Sequence, residues 1–256
     1  METRRQRVRD LWEYQPIDHI PVYIVVASNP LGYSYQEQLR GYHDKQLAVN
    51  LASVWRTLSE VPDDYIPVLQ PSLASDYEIP TALGAELFWG DHPKQGPTVR
   101  GPLVYETADI GKLHLPDPYS DGLLPRYLER IAYFREKTGG QLPIAVDLRG
   151  PCSTALAICD PLYFYKAMVK EPQAIADLYG VMTDSILAFG DACIQVAGGL
   201  EAVAATGFDM FWQPEGRKGY VADDVAATIS PEKFCLLDIP SNNRIFARYG
   251  GGLMHC

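Results

Sequence analysis

The chain has 256 residues and a formal net charge of −10, from 22 Lys and Arg against 32 Asp and Glu. A balance this acidic argues against general affinity for nucleic acid or an anionic membrane surface, because both need a basic face. No apolar run reaches the about 18 residues that a membrane span needs, and the charged start METRRQRVRD has no apolar segment after it, as a secretory signal would. The five cysteines (Cys152, Cys159, Cys193, Cys235, Cys256) are scattered and odd in number, which is no disulfide framework. The expectation is a cytoplasmic protein with reduced thiols and no nucleic-acid or membrane partner.

The first predicted element is an Arg-rich helix from Thr3 to Tyr14, with Val8, Leu11 and Trp12 at helical spacing and Pro16 as its stop. "IPVYIVV", Ile20 to Val26, is β-branched and aromatic without a break, which predicts a strand buried on both faces. An amphipathic helix follows from His43 to Leu58, then a strand at Tyr65 to Leu69. Pro80 and Gly84 bracket a short turn or helix. The Pro- and Gly-rich stretch from Phe88 to Pro118 predicts extended structure and loops. Gly122 to Thr138 reads as a helix, with Leu124, Tyr127, Leu128, Ile131 and Phe134 on one side, ended by Gly139 and Gly140. "LPIAVDLRG", Leu142 to Gly150, is the clearest strand, and Ser153 is placed to cap the next helix. Helices from Pro161 to Lys170 and from Pro172 to about Val196 come next, then a strand at Gly207 to Trp212. Ser230 and Pro231 start a helix toward Tyr249, and "GGLMHC" begins a strand.

Strand and helix alternate along most of the chain, so the fold class is α/β with parallel strands and crossover helices. A doubly wound nucleotide fold usually carries a glycine-rich turn after its first strand. Here that place reads "ASNPLGYSY". The reading is therefore a (β/α)8 barrel in one domain spanning residues 1–256, with five or six of the eight strands visible.

In such a barrel, chemistry sits at the C-terminal ends of the strands. Strand alternation puts Ile144, Val146 and Leu148 on one face and Ala145, Asp147 and Arg149 on the other. Two opposite charges ending an apolar strand are either an internal ion pair or a pocket wall, with Arg149 holding a substrate carboxylate. Free N–H groups at the helix start after Gly150 also suit an anion, beside Ser153. Asp76 in "SLASDYE" is either a helix cap or a catalytic carboxylate. The charged stretch "EGRKGYVADD" reads as a loop at the barrel top, either solvated or contributing Arg217 and Asp224 to substrate binding. His255 and Cys256 are zinc-type donors, but neighbours on a strand face opposite ways, so one metal cannot readily take both. The candidate set is Asp76 and Asp147 as catalytic groups, Arg149, Ser153, Arg217 and Asp224 for substrate, and His255 for a metal.

Several stretches occur together in a telling order: "RRQRVRDLWEYQPIDHIPVY", "ALGAE", "DLRGPCSTALAI", "SPEKF", "DIPSNNRIFARYGGG" and "LMHC". In this the chain resembles the uroporphyrinogen decarboxylase superfamily, which holds haem-pathway decarboxylases and zinc-dependent corrinoid methyltransferases. The resemblance implies a (β/α)8 barrel and members longer than this chain, so that the barrel is incomplete at its C-terminal end. Open edges of that kind lead to the expectation that residues 1–256 alone are poorly soluble or associate, a homodimer included. Decarboxylases of the family look like a first strand followed by an arginine-rich run, whereas here that place reads "ASNPLGYSY", with no arginine after the strand until Arg40. Asp76 falls near the family's pyrrole-contacting aspartate, one residue short in spacing. Methyltransferases carry a His-x-Cys-Gly zinc motif, and His255 falls on its histidine with Cys256 in the variable position. The resemblance thus implies zinc-dependent methyl transfer between a small methylated compound, a corrinoid and a thiol, with a corrinoid protein as a partner. The alternatives are cofactor-free decarboxylation of a uroporphyrinogen-type tetrapyrrole, and a non-catalytic porphyrin- or corrinoid-binding protein or inactive fragment.

Overall fold

The computed structural model describes residues 1–24, 29, 31–61, 64–74, 76–207 and 211–255. Helix α1 (Glu2–Trp12) leads into an extended stretch, and α2 (Tyr35–Leu39) and α3 (His43–Glu60) follow. A second extended stretch, residues 64–69, precedes α4 (Glu78–Ala82). Then come β1 (Glu86–Trp89), β2 (Pro97–Arg100), α5 (Thr107–Ile110) and α6 (Leu124–Thr138). The rest runs β3 (Ile144–Ala145), α7 (Pro151–Ile158), α8 (Pro161–Lys170), α9 (Pro172–Ala197), β4 (Val203–Ala205), β5 (Gly219–Ala222), α10 (Pro231–Lys233), α11 (Ile239–Tyr249) and β6 (Gly252–His255).

Backbone hydrogen bonds join six extended segments side by side in chain order. Asp64 N–H donates to the Val22 carbonyl at 3.1 Å, and Ala145 N–H to the Leu69 carbonyl at 2.8 Å. β3 pairs with β4 in parallel, Thr206 N–H donates to the Lys218 carbonyl at 2.9 Å, and β5 pairs with β6 in parallel. Alternation along these segments sorts two layers. Ile144, Val146, Leu148, Val203 and Val221 join the large core under the helices, with Tyr127, Ile131, Phe164, Leu178 and Phe189. Ile66, Val68, Ala145, Ala204 and Trp212 fill the inner side, where Val8 of α1 packs against them.

The parallel α/β arrangement agrees with the sequence, but the described residues form no closed barrel. Their strands make two parallel pairs and one antiparallel hairpin, β1–β2. The expected strand from Ile20 to Val26 lies partly outside the described residues, and residues 20–24 carry one backbone bond to residue 64 and no strand assignment. Its expected burial on both faces is overturned: Ile20 is 78% exposed and Ile24 47%. Among the described residues its backbone pairing is with residue 64, on one side of the segment. The β1–β2 hairpin falls largely in the stretch expected to form extended structure and loops. The strand expected at Gly207 to Trp212 is displaced to Val203–Ala205, and residues 208–210 lie outside the described set. The largest correction concerns "EGRKGYVADD": Gly219–Ala222 is not loop but the fully buried strand β5. Among the described residues no helix is long and apolar enough to cross a membrane.

Glycines allow β5 and β6 to close on each other. A Cβ on Gly252 would sit 1.5 Å from the Gly219 carbonyl oxygen, and Gly250 ends α11 at φ +84° with the Gly216 carbonyl oxygen 2.3 Å from where its Cβ would be. Ser230 caps α10 as expected, its Oγ accepting from Lys233 N–H at 3.3 Å. Between α10 and α11 the backbone widens into a π turn over Phe234–Asp238, a feature often found at functional sites.

Candidate functional site

The C-terminal ends of the parallel segments face one way, and two groups of ionisable side chains gather there. The first is built on the turn after residues 64–69 and on the end of β3. Glu78, in the first turn of α4, reaches back to accept from Leu73 and Ala74 N–H at 3.0 and 2.8 Å. This folds the turn so tightly that Asp76 sits at φ +73°, a left-handed backbone rarely adopted by residues other than glycine. Arg149, just beyond β3, meets Asp76 with Nη2 3.4 Å from Oδ2 and lies over the Tyr77 ring at 4.8 Å. Asp147 is 3% exposed, and its N–H donates to the Tyr127 hydroxyl at 2.7 Å. Burial first, then the Asp76 and Glu78 carboxylates, holds the Asp147 carboxyl well above the usual range. Burial and Asp76 likewise push Glu78 up to about 7. Among the described residues, Asp147 Oδ1 and Glu78 Oε2 are buried without a hydrogen-bond partner.

Arg130 of α6 braces this turn from behind. Its guanidinium is fully buried and donates to Gln46 Oε1 at 2.7 Å, His43 Nδ1 at 3.0 Å and the Ser72 carbonyl. Burial without a carboxylate partner pushes it down to about 10.

The second group surrounds the N-terminus of α7. The expectation of free N–H groups there is overturned. Asp223, at the end of β5, accepts from Ser153 N–H at 2.6 Å and Cys152 N–H at 3.2 Å. Ser153 therefore lies inside α7 rather than capping it, Gly150 being the N-cap. Its Oγ accepts from Val225 N–H at 3.3 Å, and its hydroxyl also hydrogen-bonds the Asp223 carboxyl. Burial raises Asp223 to about 6 against these hydrogen bonds, and burial plus Asp223 raises Asp238 to about 7. Asp238 belongs to the π turn, and neither of its oxygens is hydrogen-bonded among the described residues.

A cleft of about 360 Å³ opens between these groups, lined by Tyr77, Arg149, Ser153 and Val225, with Thr98 and Val99 of the β1–β2 hairpin as one wall. Within it an arginine can hold an anionic end, with a hydroxyl beside it. A buried carboxyl that favours its protonated form lies behind.

The sequence candidates are thus placed unevenly. Asp76, Asp147 and Arg149 come together, but the partner of Arg149 is Asp76 and not Asp147. Ser153 shares the cleft with Arg149. Asp224 and His255 meet each other at the same end, Oδ1 to Nδ1 3.1 Å, both well exposed. Arg217 is not with them. It stands at the other end of β5, with Nη1 donating to the Gly250 carbonyl at 3.1 Å. A four-residue strand separates it from Asp224, about 13 Å of rise. Among the described residues no group of three His, Cys, Asp or Glu side chains could hold a metal. His255 has one carboxylate beside it, and Cys256 lies outside the described residues. The described residues alone therefore do not fit a zinc centre. Glu78, Arg130, Asp223 and Asp238 are absent from the sequence candidates. Asp223 neighbours the candidate Asp224 in sequence and sits at the end of the short strand β5.

Ionisable groups collected at the C-terminal ends of parallel segments are the arrangement of parallel α/β folds, barrels and open sheets alike. Residues 73–214, more than half of the chain, match the family model for uroporphyrinogen decarboxylase (URO-D), and the chain belongs to that family. Methylcobamide:CoM methyltransferase MtaA of Methanosarcina barkeri is 24% identical over 208 residues, 79% of this chain and 58% of the relative. The protein of the same name from Methanosarcina barkeri (strain Fusaro / DSM 804) is 23% identical over the same shares. The chain thus spans 58% of the length of the curated relatives it matches. Among solved structures, a methyltransferase from Methanosarcina mazei superposes with a TM-score of 0.70 at 20% identity, over 98% of this chain and 68% of that one. That likeness carries the fold.

Proposed function

We propose that this chain is a methyl-transferring enzyme of the URO-D family, moving a methyl group between a corrinoid and a small thiol in the cytoplasm. In this reading the six adjoining segments belong to one (β/α)8-type barrel domain. The observation that carries it is the Arg149–Asp76 pair at the mouth of the cleft, with Asp147 behind and Ser153 beside it. The name of the curated relatives supports methyl transfer over the family's other chemistry.

Within the cleft, Arg149 binds the anionic end of the thiol substrate, with Ser153 beside it. Asp76 holds Arg149 in place and takes up the proton that the thiol gives as its sulfur becomes nucleophilic. Asp147 stays protonated beneath, so only one negative charge faces the substrate. The family's zinc would supply acidification of the thiol. The described residues do not fit a zinc centre, and His255 with Asp224 stands as an exposed pair at the ends of β5 and β6. A second reading, decarboxylation of a tetrapyrrole, is favoured by one feature, a protonated carboxyl close to a carboxylate-binding arginine.

The test is to incubate the full chain with methylcobalamin and 2-mercaptoethanesulfonate, and separately with uroporphyrinogen. Methylated thiol is expected, and Arg149→Ala should raise the thiol's KM about tenfold to a hundredfold, the worth of one hydrogen-bonded charge. Carbon dioxide release without thiol methylation overturns the reading in favour of the decarboxylase.

A further inference from the structure

Away from the cleft, a small cavity of about 140 Å³ lies between the α2–α3 connection, β1 and the start of α6. Its floor is apolar: Leu39, Leu73, Leu87, Trp89 and Leu123. Its rim carries two guanidinium groups. Arg40 lies over the Trp89 ring at 5.2 Å. Arg126 lies across the backbone at Gly41, which stands at φ +94° and where a Cβ would come 2.2 Å from Arg126 Nη2. A glycine is required for Arg126 to occupy this place. Among the described residues neither Arg40 nor Arg126 forms an ion pair, although the chain as a whole carries ten excess negative charges (32 acidic against 22 basic residues). The nearest buried cation, Arg130, adds to the local positive field, with Nη2 3.3 Å from the Leu39 carbonyl.

We propose that this cavity binds a small amphipathic monoanion, with an apolar body on the leucines and Trp89 and a carboxylate or sulfonate head between Arg40 and Arg126. An unpaired positive rim over an apolar floor selects this class by charge complementarity on one side and desolvation on the other. A free phosphate has the charge but nothing for the floor, and an apolar amine meets two like charges. The volume lies well under the about 300–1,000 Å³ of drug-sized sites, so the occupant is short. The site stands apart from the cleft of Arg149, sharing none of its lining residues, and the inference does not depend on the methyl-transfer reading.

Isothermal titration of the full chain with hexanoate, hexylamine and inorganic phosphate tests it. Saturable hexanoate binding is expected, weakened at least about fivefold by Arg126→Gln and by Arg40→Gln and unchanged by Arg149→Ala, a charged hydrogen bond being worth about tenfold or more. Both rim residues are exposed, so the melting temperature reports that the variants remain folded. No saturable hexanoate binding overturns the proposal. So does equal binding of hexylamine, binding of phosphate as tight as that of hexanoate, or loss of hexanoate binding in Arg149→Ala with Arg126→Gln unaffected.

Discussion

Burial, with the Asp76 carboxylate beside it, favours the protonated form of Asp147. Replacing it with asparagine keeps the size and the neutral charge, so Asp147→Asn is expected to melt within about 2 °C of the wild type, a change under about 1 kcal/mol. Turnover should also stay within about threefold, because in the proposed reaction Asp147 moves no proton and only has to remain neutral. Calorimetry and a steady-state assay on the same preparation check both halves. Gly150 gives the converse case. A methyl group there would come 2.5 Å from Asp223 Cγ and 2.8 Å from Val221 Cγ1. Gly150→Ala should therefore cost about 1–3 kcal/mol by overpacking, read as a lower urea midpoint. The sequence showed Asp147 and Arg149 on the correct face because alternation is a local rule. It did not show that Arg149 pairs with Asp76. That contact joins positions 73 residues apart, across two elements whose approach no local pattern encodes.

At the scale of elements, what was legible depended on length. Helices α6 and α9 were readable because fifteen and twenty-six residues give several turns of apolar periodicity. Strand β5 was not, because four residues flanked by charges look like a loop, and misreading it misplaced Arg217. Helix α1 shows a different limit. It buries no residue fully and is held mostly by ions: Arg7 to Asp18 and Asp64, Arg9 to Glu215 at 2.9 Å, and Arg5 and Arg9 over the Trp212 ring at 5.4 and 5.3 Å. Attachment of this kind is screened by salt. Raising sodium chloride to about 0.5 M, where the screening length falls below about 5 Å, should speed amide hydrogen exchange in residues 2–12 while that of α9 stays unchanged. Equal response of both helices would contradict the ionic account.

For the molecule as a whole, the buried acids set the pH profile. Asp223, Glu78 and Asp238 have folded-state values raised to about 6, 7 and 7 by burial, with the Asp76 charge adding to it for Glu78 and the Asp223 charge for Asp238. The folded state then binds more protons than the unfolded chain between about pH 4 and pH 7. Stability is fully present below the unfolded values and is lost as pH rises through the raised ones. On the acid side, Glu37 and Glu215, held at about 2 by Lys45 and Arg9, oppose this below about pH 4. The melting temperature should peak near pH 4 and fall by about 5 °C or more between pH 5 and pH 8, given about 2–4 °C per kcal/mol in a chain of this size. A rise between pH 5 and pH 8 would mean that these carboxylates are solvated.

The six extended segments lie beside one another in the order in which they are translated. A chain leaving the ribosome can therefore dock each new segment on the one just finished, with no stave waiting for a distant partner. Such an order favours early collapse from the N-terminal side. It leaves the growing edge exposed at every step, so the window for misassembly lies during synthesis. Slower translation across residues 200–220, while β4 waits for β5, would be the moment at which a chaperone matters most.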